Sequence, residues 1–168
     1  FCEPPNFYKE RLDKKYHSEC PNLIEIENSL FWTDSYSLTP MSASIGAGTK
    51  DSNLKFRCNL DEYNKFADLN KRLTYQKKDG ATHEILLPNL GFLWRVKNHK
   101  IRKKCYDIYN LYTEEVRKSQ LKKNFTIIPI IFGNNPKEIF KSLLDTLKIT
   151  DCSSFALVID MNQIWKLI

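Results

Sequence analysis

A chain of 168 residues with 42% hydrophobic content can bury one sizeable core, and nothing in its length demands more than a single domain over residues 1–168. Lys and Arg number 26 against 20 Asp and Glu, giving a net charge of +6 and a pI near 9.0, which favours anionic partners such as nucleic acid, phosphates or acidic proteins. No apolar run approaches the roughly 18 residues of a membrane span, and Cys2, Cys20, Cys58, Cys105 and Cys152 form neither a CxxC pair nor a Cys/His ligand pattern, so no metal is expected.

An odd number of cysteines leaves at least one thiol free unless another chain takes it. The chain begins at Phe1 rather than Met, which points to a processed product or to part of something longer. Residues 1–22 are polar and broken by Pro4, Pro5 and Pro21, so they wrap a surface or form a short helix from Asn6 to Tyr16. Leu23 to Trp32 alternates loosely between apolar and acidic residues and reads as strand or helix-to-strand. Thr33 to Asn53 is rich in Ser, Thr, Gly and Ala, and Ile45-Gly46-Ala47-Gly48-Thr49 lacks the Gly-Lys-Ser/Thr ending of a phosphate-binding loop.

Leu54 to Asn59 alternates as a half-buried strand, and Asp61 can cap a helix from Glu62 to Leu73 with Phe66, Leu69 and Leu73 at helical spacing. A turn at Lys77-Lys78-Asp79-Gly80 leads into Thr82 to Val96. There Ile85-Leu86-Leu87 and Phe92-Leu93-Trp94 flank Pro88-Asn89-Leu90-Gly91, which predicts two adjacent strands with Glu84 at the edge of the first. From Ile101 to Lys122, the residues Ile101, Cys105, Ile108, Tyr112 and Val116 share one face of an amphipathic helix whose other sides carry Lys and Arg.

Phe125 to Phe132 is an apolar strand interrupted by Pro129. Asn135 then caps a helix with Pro136 in its first turn, and Ile139, Phe140, Leu143, Leu144 and Leu147 form the stripe expected to be buried. Phe155 to Ile159 and Gln163 to Ile168 are two further strands. Three or four helices with six or seven strands define an α+β domain with mainly antiparallel sheets.

The Gly, short polar step, Glu and Ile-Leu-Leu-Pro around Glu84 resemble the glutamate strand of mono-ADP-ribosyltransferases of the arginine, serine, glutamate type. Thr82 stands where that family often has a first glutamate. Phe31-Trp32-Thr33-Asp34-Ser35-Tyr36-Ser37-Leu38-Thr39 is similar to the family's serine motif, and the resemblance covers about residues 30–96, with 97–168 adding the basic helix and a strand-helix-hairpin tail. It implies an ADP-ribosyltransferase-like fold and NAD as substrate. Glu84 would stabilise positive charge developing on the ribose, Ser37 and Thr39 would brace the NAD site, and Trp32 or Tyr36 would pack on nicotinamide. The implied activity is ADP-ribosyl transfer or NAD glycohydrolysis, retained or degenerate.

Other readings stand beside it. Glu84 can be an exposed strand residue, Ser37 and Thr39 turn residues, and Trp32 and Trp94 core aromatics. A noncatalytic protein-interaction or scaffold domain with a protein partner accounts for the basic helix as well as an enzyme does. Nucleic-acid binding, with Tyr106, Tyr109 and Tyr112 stacking on bases beside the helix cations, is a third.

Overall fold

A computed structural model describes residues 3–27, 29–34, 36, 38–40, 60–89, 93, 96–151 and 153–159, with the backbone alone at 39, 40, 62 and 159. The expected strands Leu54 to Asn59 and Gln163 to Ile168, and the glycine step at 45–49, lie outside the described residues. The chain divides into two compact units, one from Phe1–Asp79 and Asn89–Cys105, the other from Gly80–Pro88 and Tyr106–Ile168. Among the described residues there are five α-helices and seven strands. Their ladders divide evenly between antiparallel and parallel. Helices and sheets mix as an α+β reading requires, but the pairing is not mainly antiparallel.

In the first unit the N-terminal segment forms a short helix α1 (Phe7–Arg11) and one 3-10 turn at Lys14–Tyr16. Phe7 and Tyr8 are buried edge to face at 4.9 Å, and the Arg11 guanidinium lies 4.4 Å over the Phe7 ring. The Leu23 amide donates to the Pro5 carbonyl at 3.3 Å, fastening this segment to β1 (Asn22–Ile26). Strands β1 and β2 (Ser29–Thr33) pair antiparallel across a two-residue connection in which Glu27 takes a φ of 49°. That left-handed conformation suits the twist of a tight hairpin. Strand β3 (Leu38–Pro40) adds to β2, placing Thr39 opposite Trp32.

The helix expected from Glu62 to Leu73 is two helices, α2 (Leu60–Ala67) and α3 (Leu69–Lys78). Asp68 breaks them apart: its carboxylate accepts from the amides of Asn70 and Lys71 at 2.9 and 3.3 Å, an N-cap that starts the second helix. Phe66 consequently lies exposed, while Tyr63, Ala67 and Leu69 are buried. Asn98 caps α4 (His99–Lys118) in the same way, accepting from Lys100 and Ile101, and its amide donates to Glu19 at 2.8 Å.

In the second unit, the expected partner strand of β4 (Glu84–Leu86) at Phe92-Leu93-Trp94 lies outside the described residues except for Leu93. Leu93 is helical, and β4 pairs instead with β5 (Phe125–Ile127), in parallel. Parallel partners cannot be joined by a tight turn, and α4 lies in the crossover between them. The apolar run from Phe125 to Phe132 splits at Pro129 into β5 and β6 (Ile130–Gly133), and β6 pairs in parallel with β7 (Ala156–Ile159). Proline has no amide hydrogen to extend a ladder. The Pro129 carbonyl accepts from Ala156 at 2.8 Å, and the Ile128 amide donates to Leu86 at 3.0 Å, so the run serves a different strand on each side of the break.

Asn110 holds the break. Its side-chain amide donates to the Ile130 carbonyl at 2.7 Å and to the Thr146 hydroxyl at 3.2 Å, and its oxygen accepts from the Ile130 amide at 2.7 Å. Helix α5 (Pro136–Ile149) then packs on β6. Asn135 accepts from the Glu138 amide at 3.0 Å while the Glu138 carboxylate accepts from the Asn134 amide at 2.9 Å, a reciprocal cap.

Candidate functional site

The predicted site residues divide between the two units. Trp32, Tyr36 and Thr39 belong to the first, Glu84 to the second, and Ser37 lies outside the described residues. Within the first unit the β2–β3 ladder brings the backbones of Trp32 and Thr39 opposite each other. Trp32 is buried, whereas Tyr36 is 57% exposed in an Asx turn whose amide donates to Asp34 at 2.9 Å, with the Lys97 ammonium 5.8 Å from its ring. Glu84 is half-buried at the start of β4, and its amide donates to the Asn124 carbonyl at 2.8 Å.

The second unit contains a cleft of about 320 Å³, within the size range of small-ligand sites. The parallel β4–β5 pair leaves Ile85 and Thr126 on its exposed face, and both line the cleft. Val116 and Arg117 from α4, Ile127 and Pro129 from the strand break, and Lys122 from the 3-10 turn at Gln120–Lys123 complete much of the wall. Beyond α5, Asp151 and Ser153 close it.

Arg117 is committed to Glu114, its Nε donating to one carboxylate oxygen at 2.6 Å and its terminal nitrogen to the other at 2.7 Å. Lys118 adds a second cation at 3.2 Å. The Arg117 hydrogen bonds, against the opposing effect of burial and helped by Lys118, pull the Glu114 carboxyl down to about 2. His83 bridges two groups at the rim: Nδ1 meets the Lys123 carbonyl at 3.2 Å and Nε2 meets the Thr126 hydroxyl at 2.9 Å. A carbonyl can only accept, so Nδ1 carries the proton and, in the neutral ring, Nε2 accepts from Thr126. The dispersed histidines gave no reason to single out His83 in the sequence; its partners lie 40 and 43 residues away.

A second feature lies on α5. The stripe expected to be buried is covered on one side only: Ile139 and Leu143 are half-buried, but Phe140, Leu144 and Leu147 are 61%, 44% and 48% exposed. At 100° per residue the three form one ridge, bordered by Lys137, Lys141 and Lys148. Of these lysines, Lys148 pairs with Asp145 at 3.2 Å.

The tyrosines expected to stand exposed for base stacking are covered to different degrees. Tyr106 and Tyr109 are buried and Tyr112 is half-buried, and the Tyr106 ring packs on Phe132 at 4.6 Å. The face Ile101, Cys105, Ile108 and Val116 is buried as expected, but the covered arc of α4 is wider and takes the tyrosines with it. Cys20 and Cys105 are both buried, and burial raises the Cys20 thiol above its ordinary range. Among the described residues no three of His, Cys, Asp and Glu come together as metal ligands, and no helix is long and apolar enough to cross a membrane.

No protein-family model and no curated protein matches the chain. It is similar in structure to an amidohydrolase from Mycobacterium avium subsp. paratuberculosis K-10, with a TM-score of 0.58 and 14% identity, over 88% of this chain and 44% of that one. At that identity the likeness is one of fold alone, and this chain spans less than half the length of that structure. These findings overturn the ADP-ribosyltransferase resemblance, since the likeness found is to an amidohydrolase. The parallel partner of the Glu84 strand also departs from the expected strand pair. NAD as substrate followed from that resemblance and is withdrawn with it.

Proposed function

We propose that the chain acts as a noncatalytic protein-interaction domain, and that its partner presents an apolar patch bordered by carboxylates. The observation that carries this reading is the α5 ridge, where Phe140, Leu144 and Leu147 stand about half in water. Covering the exposed halves of three such side chains stabilises a complex by roughly 3 kcal/mol, on the order of 100-fold in affinity. Lys137 and Lys141 border the ridge as exposed cations, so acidic groups on the partner complement it.

The test begins with a photo-crosslinking residue in place of Leu144, used to trap the partner in the native cell. The trapped protein is then purified and titrated against the whole chain. Phe140→Asp with Leu144→Asp weakens binding on the order of 100-fold while the circular dichroism spectrum is unchanged. Lys137→Glu with Lys141→Glu weakens it several-fold, an effect that fades as salt is added. Equal affinity for wild type and ridge variants, or dimerisation of the chain through the ridge, refutes the reading.

The structural likeness favours a second reading, in which this chain is one portion of an amidohydrolase. Release of amine from a panel of simple amides, with and without added divalent zinc, tests that reading separately.

A further inference from the structure

The cleft of the second unit is independent of the α5 ridge, and it lies where the strand run from Phe125 lacks a partner on one side. In a parallel ladder each residue turns its amide and carbonyl toward the same neighbour, and successive residues alternate between the two neighbours. The Glu84 amide donates to Asn124 and the Ile128 amide to Leu86, so Asn124, Thr126 and Ile128 face β4 while Phe125 and Ile127 face the other way. On that other side β7 pairs only with Ile130–Gly133. Just before that ladder the Ala156 amide donates to the Pro129 carbonyl, and Pro129 has no amide hydrogen to give in return.

Ile127 is thereby left at an open edge. Its amide and carbonyl have no hydrogen-bond partner among the described residues, although the residue is only 7% exposed. Buried backbone groups are almost always paired. Beside this unpaired set lies the cleft of about 320 Å³, whose lining includes every residue from Phe125 to Pro129.

Charge does not select the ligand. Arg117 is held by Glu114, and Lys122 and Asp151 contribute one charge of each sign. A neutral molecule with an N–H beside a C=O answers the Ile127 pair and brings no uncompensated charge against the apolar wall of Val116 and Pro129. The volume is at the small end of ligand sites, which favours a single ring over a length of peptide.

We propose that this cleft binds a small neutral lactam, its carbonyl accepting from the Ile127 amide, its N–H donating to the Ile127 carbonyl and its ring against Val116 and Pro129.

The whole chain, labelled with nitrogen-15, is titrated by NMR with ε-caprolactam as probe, and with N-methylcaprolactam and cyclohexanecarboxylate as controls. A saturable shift is expected at the Ile127 amide, whose proton moves downfield as it gains an acceptor, with a Kd on the order of 10 mM for so small a ligand. N-methylcaprolactam has no proton for the Ile127 carbonyl and binds about five-fold more weakly. Lys122→Gln with Asp151→Asn leaves the Kd unchanged, and because both side chains are exposed the variant keeps the fold. Absence of a saturable shift at Ile127 up to about ten times that Kd overturns the proposal. So does equal binding of N-methylcaprolactam, tighter binding of cyclohexanecarboxylate, or loss of lactam binding in the Lys122→Gln, Asp151→Asn variant.

Discussion

Asn110 is the residue on which the second unit's architecture can be tested most directly. Its side chain is buried and makes three hydrogen bonds, two of them to the backbone of Ile130, which is itself fully buried. Asn110→Ala leaves the Ile130 amide and carbonyl facing a space with no replacement partner. Each stranded buried group costs about 1–3 kcal/mol, so a loss of about 3 kcal/mol is expected. Asn110→Asp separates the two halves of the interaction: the carboxylate still accepts from the Ile130 amide but confronts the Ile130 carbonyl and cannot donate to Thr146. At neutral pH this variant is at least as damaged as the alanine. Its buried carboxyl binds a proton more tightly in the folded than in the unfolded state, so it regains stability as pH falls toward 5. Amide hydrogen exchange resolved at Ile130 and Ala156 is the assay, because one optical transition need not follow a chain with two compact units. An unchanged protection factor at Ile130, or a cost under about 1 kcal/mol, refutes the argument that Asn110 bridges the strand break.

Glu3 predicts a pH dependence of the opposite kind to a salt-bridged acid. Burial pushes its carboxyl from 4.5 up to about 8, so between those values the folded chain holds a proton that the unfolded chain releases, and stability falls as pH rises. Glu3→Gln removes that slope in urea midpoints measured from pH 4.5 to 8, and an identical slope in the variant would exclude Glu3 as its source. Gly133 meets the start of α5 so closely that an added Cβ would lie 2.6 Å from the Ile139 nitrogen and 2.9 Å from the Glu138 carbonyl carbon. Backbone cannot swing aside as a flexible side chain can, so Gly133→Ala costs about 2–3 kcal/mol and lowers Tm by several degrees. A wild-type melting curve would show that β6 and α5 are less tightly apposed.

What the sequence made legible was local. The Asn135-Pro136 start of α5, the break at Pro129 and the buried face of α4 each rest on a cap, a missing amide hydrogen or a 3.6-residue period within one stretch of chain. Strand partners were not legible. Pro88-Asn89-Leu90-Gly91 looks like a hairpin turn, yet β4 finds its partner at Phe125, beyond the whole of α4. No short-range signal records a parallel partner so far away, because the register is set by packing and not by turn chemistry. The Asn110 bridge was hidden for the same reason: a single polar residue on an apolar helix face identifies neither the strand it serves nor the bond it completes.

The two apolar helices also failed expectation in opposite directions, and the contrast bears on function. Periodicity places residues on a face but does not say how wide an arc the rest of the fold will cover. On α4 the covered arc exceeds the stripe and removes Tyr106 and Tyr109 from any role in base stacking. On α5 the stripe exceeds the covered arc, since Phe140, Leu144 and Leu147 remain exposed beside half-buried Ile139 and Leu143. Isolated exposed apolar residues are ordinary. Three at i, i+4 and i+7 along one helix form a continuous ridge, and it is on this ridge that the proposed partner contact rests.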